Sequence, residues 1–195
     1  MVGRSGGAPH ALACAALLPD RVRRTAALVS LAPRDATGLD WFEGMTAPNV
    51  RGFSNAELAR EQVGKGLEFR ARRIREDPGL ALRELAEALS PTERAIIDDP
   101  DFHAMLERNF AEGLRRSADG WVDDVMAFST SWGFDLTAIV GPVLLWHGED
   151  DIFAPAAHSR WLAARIPGSR LEMEPSAQHF GALRVMSRIL SWAVA

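Results

Sequence analysis

The chain has 195 residues, 22 Lys+Arg against 26 Asp+Glu for a formal net charge of −4, and 47% hydrophobic and 25% charged residues. This fits one ordinary globular domain with enough apolar material to bury a core, and it excludes a disordered chain or a fibrous repeat. The acidic balance leaves only short basic patches, Arg21-Arg23-Arg24 and Arg70-Arg72-Arg73, which argues against nucleic acid as a partner.

A single cysteine, Cys14, excludes an internal disulfide and any cysteine-based metal site. No apolar run reaches the roughly 18 residues of a bilayer span, and the N-terminus lacks a signal-peptide pattern, so the expectation is a cytoplasmic protein with no membrane partner. Lys65 is the only lysine and tyrosine is absent, a bias attributed to a GC-rich bacterial genome and not to chemistry.

In chain order, Gly3-Arg4-Ser5-Gly6-Gly7 reads as a tight turn opening a buried, small-residue helix from Ala8 to Leu18. Thr25 to Leu31 is a continuous apolar run, the pattern of a strand buried on both faces, and a helix followed by such a strand suggests a parallel α/β sheet. From Ala36 to Leu136 the texture changes to charged residues and alanines at helical spacing. Helices are expected at Asn55 to Glu76, Leu80 to Leu89, Pro91 to Ile97, Asp101 to Arg116 and Asp119 to Ser131, with a capping box at Ser90-Pro91-Thr92-Glu93. Pro142 to His147 is again a buried strand. Pro155 to Ile166 reads as a helix, Leu171 to Glu174 as a short strand, and Phe180 to Trp192 as a last amphipathic helix after the loop Pro175 to His179.

Gly3-Arg4-Ser5-Gly6-Gly7 fits G-x-S-x-G, in which small residues flank a serine so that a sharp turn can lift its hydroxyl clear of the sheet. Side chains at both glycines are expected to clash with that turn. A helix starting directly after it directs the Gly6 amide toward an oxyanion beside Ser5. A serine needs a base, and the base needs a group that fixes its tautomer. His10, His103 and His158 lie within expected helices and are read as structural, and His147 as support for the turn at Gly148. His179, in a loop before the last helix, is the candidate base. Asp151 is the candidate acid, with Asp150 and Asp35 as competitors at neighbouring strand ends. The sequence holds no phosphate-binding loop, dinucleotide glycine pattern or paired His/carboxylate helix, so neither cofactor nor metal is expected.

Taken together, Gly3-Arg4-Ser5-Gly6-Gly7, His147-Gly148-Glu149-Asp150-Asp151-Ile152-Phe153-Ala154-Pro155 and Gln178-His179-Phe180 resemble the nucleophile elbow, acid loop and histidine loop of the α/β-hydrolase family, in that family's order of Ser, Asp, His. Gln178 departs from the family's usual glycine. The resemblance implies a partial α/β-hydrolase fold: a core segment over 1–35, a helical cap over 36–137 and a second core segment over 138–195. Only Met1 and Val2 precede the elbow, so the family's N-terminal strands, and the loop supplying a second oxyanion amide, are expected to be absent. It further implies a serine hydrolase cleaving an ester, amide or related acyl bond of a small molecule. Ser5 would be the nucleophile, His179 the base, Asp151 its orienting acid and the Gly6 amide an oxyanion donor. The alternative is a non-catalytic fragment that binds a partner or forms a homo-oligomer through an exposed sheet edge.

Overall fold

Four short strands, β1 (Val2–Arg4), β2 (Thr25–Leu28), β3 (Val143–Gly148) and β4 (Arg170–Glu174), form a parallel sheet in the order β1-β2-β3-β4 in the computed structural model, which describes residues 1–55 and 60–195. The register sets Val2 opposite Ala26, Ala26 opposite Leu144 and Leu144 opposite Arg170. Every residue of β2 and β3 is buried, as a parallel sheet covered on both faces requires.

Alternation along these strands divides the apolar core into two layers. On one face Ala27, Val143 and Leu145 pack with Ala8, Leu12 and Ala15 of α1 (Gly7–Leu17) and with Leu162 of α8 (Ala157–Ala163). On the other, Ala26, Leu28, Leu144 and Trp146 pack with Ala182 of α9 (Gly181–Arg184) and Ile189 of α10 (Met186–Val194). Small side chains on α1 let it lie close to the sheet, which is why an alanine-rich sequence is buried here.

The elements differ from the sequence expectation in instructive places. Gly3 and Arg4, expected as part of a turn, join Val2 in a three-residue edge strand. The run through Leu31 stops as a strand at Leu28, because Val29 takes φ +47°, although its N–H still bonds the Trp146 carbonyl at 2.9 Å. A β-branched residue in that region is strained. The expected last helix is broken at Val185 into α9 and α10, and the expected helix over 155–166 is shortened to α8.

The chain divides into two compact units, residues 1–49 with 130–195, and residues 50–129. The second unit is helical. Into it leads α2 (Ala47–Asn55), which the sequence reading did not expect, and it contains α3 (Arg60–Glu76), α4 (Leu80–Ala86), α5 (Pro91–Ile97), α6 (Pro100–Gly113) and α7 (Asp119–Phe128). The first turn of the helix expected from Asn55 falls on residues 56–59, outside those described. Its small core joins Ala71, Ile74, Ala81, Leu114 and Ala118 with Leu67, Phe110 and Trp121. The Ser90 half of the capping box forms: Ser90 Oγ accepts the Glu93 N–H at 3.3 Å, and Pro91 opens α5. Asp99 does the same for α6, accepting from the Asp101 and Phe102 amides at 3.1 and 3.2 Å. Among the described residues no helix is long and apolar enough to cross a membrane.

Candidate active site

Ser5 sits in the two-residue gap between β1 and α1, and its backbone is left-handed, with φ +53°. A non-glycine residue there costs on the order of 1–3 kcal/mol, which the surroundings must enforce. They do so with two backbone bonds: the Ser5 N–H donates to Leu28 O at 2.9 Å, and the Ala8 N–H donates to Ser5 O at 2.9 Å. Gly3 makes the reversal sterically feasible. A Cβ at Gly3 would lie 2.1 Å from the Gly7 carbonyl oxygen and 2.8 Å from Ala8 Cα, closer than any side chain tolerates. The same expectation for Gly7 does not hold: its added Cβ would meet nothing within 4 Å, because Gly7 opens the helix on its exposed side. Gly6 is the N-cap of α1, and no side chain bonds to cap that end. The positive end of the helix therefore faces the serine.

At the far side of the sheet a second close approach joins two loops. A Cβ on Gly148 would lie 2.4 Å from Ala177 O and 2.8 Å from Gln178 O. Glu149 N–H donates to Glu174 O and Asp150 N–H to Ala177 O, each at 3.0 Å. The loop after β3 and the loop after β4 are thereby pressed together, and Asp151 and His179, 28 residues apart, become neighbours.

The consequence is a continuous hydrogen-bonded line. Ser5 Oγ lies 3.0 Å from His179 Nε2, and His179 Nδ1 lies 2.8 Å from Asp151 Oδ2. Because the carboxylate only accepts, Nδ1 carries the proton and Nε2 is left to accept the serine hydroxyl. Asp151 Oδ1 accepts the Phe153 and Ala154 amides at 2.8 and 3.1 Å, so the same carboxylate also caps the turn that follows it. The Arg4 guanidinium donates to the His179 carbonyl at 3.2 Å and lies 4.8 Å over the Phe180 ring, strapping the serine turn to the histidine loop. The Phe153 ring sits 5.5 Å from that of His179.

Burial disfavours a charge on Asp151, but the neighbouring His179 and His147, through charge and hydrogen bonds, outweigh it and hold the carboxyl well below the usual carboxylate range. For His179, burial pushes the pKa down, against the pull of Asp151, and Arg4 and His147 add to the lowering. At neutral pH this gives an ionised acid beside a neutral imidazole.

The other candidates lie elsewhere. Asp35 and Asp150 are exposed, while Asp151 is the carboxylate on His179. His10 is exposed on α1, and His103 Nδ1 donates to the Ile97 carbonyl at 3.2 Å within the helical unit. His158 is a buried structural strut: its Nδ1 accepts the Ala32 N–H at 3.0 Å and its Nε2–H donates to Trp41 O at 3.1 Å. Burial lowers its pKa to about 4. The sequence reading missed Arg4 and Phe153 altogether and saw His147 only as a turn support. His147 and Asp151 are four residues apart around a glycine turn, which is the one signal that could have joined them. Among the described residues no cluster of three or more His, Cys, Asp or Glu could hold a metal ion.

A family model described as the alpha/beta hydrolase fold matches residues 1–183. The chain belongs to the alpha/beta hydrolase fold family. A comparison with curated proteins returned no match. Among solved structures, the enol-lactonase from Burkholderia xenovorans LB400 is similar at 21% identity and TM-score 0.60, covering 99% of this chain and 63% of that one. The bromoperoxidase from Bacillus anthracis aligns at 19% identity and TM-score 0.63 over 99% of this chain and 66% of its own. An esterase from Exiguobacterium antarcticum aligns at 19% identity and TM-score 0.56 over 100% and 66%. At such identities the likeness is one of fold, and this alpha/beta hydrolase chain spans about two thirds of the length of those structures.

Proposed function

We propose that the chain is a serine hydrolase acting on an ester, amide or related acyl bond of a small molecule through an acyl-enzyme. The observation that carries this reading is the unbroken line from Ser5 Oγ through His179 to Asp151, at 3.0 and 2.8 Å, on a strained strand-to-helix turn. The fold relatives that are named as an esterase and an enol-lactonase cleave bonds of this class, which agrees with it.

In this mechanism Ser5 Oγ attacks the acyl carbon as its proton passes to His179 Nε2, and the carbonyl π electrons move onto oxygen. The Gly6 N–H, at the N-terminus of α1, stabilises that oxyanion. The tetrahedral species collapses as imidazolium Nε2–H protonates the leaving group, giving the acylated serine. Water then attacks, His179 again takes a proton, and the acid leaves with Ser5 restored. Asp151 keeps its negative charge throughout, fixing the tautomer and stabilising the imidazolium. A lowered His179 pKa suits this, because the base must be neutral to begin.

Hydrolysis of short-acyl p-nitrophenyl esters by the chain and by a His179→Ala variant tests the reading. Turnover that the variant loses by about 10⁴-fold supports it. Equal turnover by both proteins would refute His179 as the base.

A further inference from the structure

His147 is wholly buried at the end of β3 and takes no part in the steps above. Its Nε2 lies 2.6 Å from the Ala154 carbonyl oxygen and 3.3 Å from Asp151 Oδ2. Both are pure acceptors, so Nε2 carries the proton and shares it between them. Its Nδ1 lies 2.7 Å from Ser159 Oγ on α8, and Ser159 is also wholly buried. The serine hydroxyl donates to that nitrogen and fixes the tautomer. Asp151 is thus held by three hydrogen bonds, two backbone amides on Oδ1 and His179 Nδ1–H on Oδ2, with the His147 Nε2–H as a longer contact at 3.3 Å on Oδ2.

We propose that His147, locked by Ser159, is a positioning residue that sets the Asp151 carboxylate against which His179 is aligned, extending the line to Ser5–His179–Asp151–His147–Ser159. This rests on the serine hydrolase reading. The physical argument is geometric and electrostatic. A carboxylate bonded to two amides on Oδ1 and flanked by two imidazole N–H groups on Oδ2 cannot rotate without losing one of these contacts, so the direction of the His179 Nδ1–H is fixed. The second donor on Oδ2 also draws off part of its negative charge. Without it the carboxylate would hold the imidazolium form of His179 more tightly, and the base would stay protonated to higher pH. The groups facing His179 are Arg4 from β1 and Asp151 and His147 from the end of β3; those facing His147 are Asp151, Ser159 and, more distantly, His158 on α8.

Three variants of the full chain test this: His147→Leu, which removes the donor; His147→Gln, whose amide nitrogen reaches the Nε2 position; and Ser159→Ala. Two readouts are taken, the pH dependence of Ser5 labelling by a fluorophosphonate, and the imidazole nitrogen NMR titration of His179. His147→Leu should label about 10- to 100-fold more slowly, the usual cost of losing an outer partner of a functional side chain. Its His179 midpoint should move up, and His147→Gln should restore most of the rate and return the midpoint. A His147→Leu protein of lower Tm whose labelling rate and His179 midpoint match the parent would overturn the proposal, because a structural role alone predicts that pattern. If the leucine variant does not fold, Ser159→Ala decides: a mixed His147 tautomer signal with slower labelling supports the lock, and unchanged spectra and rate overturn it. A parent chain that is never labelled would remove the hydrolase reading, and the NMR midpoints would still decide whether His147 sets Asp151.

Discussion

In the sheet unit the polar side chains that matter are buried and joined to one another: Asp151, His147, His158, Ser159 and His179 are all 6% exposed or less, and each has a hydrogen-bond partner. In the helical unit over 50–129 the charged residues pair at the surface instead, Arg70 with Glu84 and Lys65 with Glu61 at 2.7 Å, and Arg83 with Asp77. The contrast is one of solvent. A buried carboxylate or imidazole has its protonation set by a few neighbours, whereas an exposed ion pair is levelled by water and salt. Chemistry that depends on an ionised acid beside a neutral base therefore fits the sheet unit; in the helical unit Glu93 is a buried carboxylate, 2% exposed, but it lies on α5 at the Ser90 cap.

The sharpest way to break this comparison is at Asp151. Asp151→Asn keeps the size of the side chain but turns one acceptor into a donor, which disfavours the Nδ1–H tautomer of His179. Ester hydrolysis should fall by about 10⁴-fold, and Tm should fall too, because the new amide nitrogen faces the imidazole N–H groups on Oδ2 and the buried charge they stabilise is lost. Next comes the turn that presents Ser5. Gly3→Ala puts a Cβ 2.1 Å from Gly7 O and should cost at least about 4 kcal/mol or prevent folding, read by chemical denaturation, whereas Gly7→Ala, with open space around it, should change stability by less than about 1 kcal/mol.

Acid provides a third, smaller effect. His158 has a folded pKa of about 4 against an ordinary 6.5, so the folded state favours its neutral form. Its contribution is fully present above about pH 6.5 and is lost as pH falls toward 4, with roughly 3 kcal/mol at stake. His179 is shifted the same way and its contribution also fades over this range, whereas that of Asp151 is lost only below about pH 4. Tm measured from pH 7 to 4 should drop steeply, and His158→Gln should flatten the drop. The smallest effect lies in the helical unit: Arg83→Gln, which removes an exposed pair with Asp77, should cost under about 1 kcal/mol and less still in high salt.

The sequence made the site legible where chemistry constrains residue type locally. A serine between glycines, an aspartate after a buried strand and a histidine before the last helix can be picked out one at a time, and the structure brings Ser5, Asp151 and His179 together. The partner set was not legible, because it depends on which loops touch. Arg4 meets His179 across 175 positions, and the pressing of Ala177 onto Gly148 is a backbone contact that no composition reveals. The break at Val185 and the left-handed Val29 were equally hidden: valine favours strands, and tertiary packing overrode that preference at Val29. In the helical unit the caps at Ser90 and Asp99 act locally, and the Ser90 box announced its helix directly.

The most direct test of the central claim is intact-mass spectrometry of the purified chain after exposure to a fluorophosphonate, beside a Ser5→Ala variant. The account predicts a single phosphonyl adduct on the parent chain, formed faster as pH rises through the His179 titration, and none on the variant. An adduct that persists on the Ser5→Ala protein, or a folded parent chain that takes up none, would contradict it.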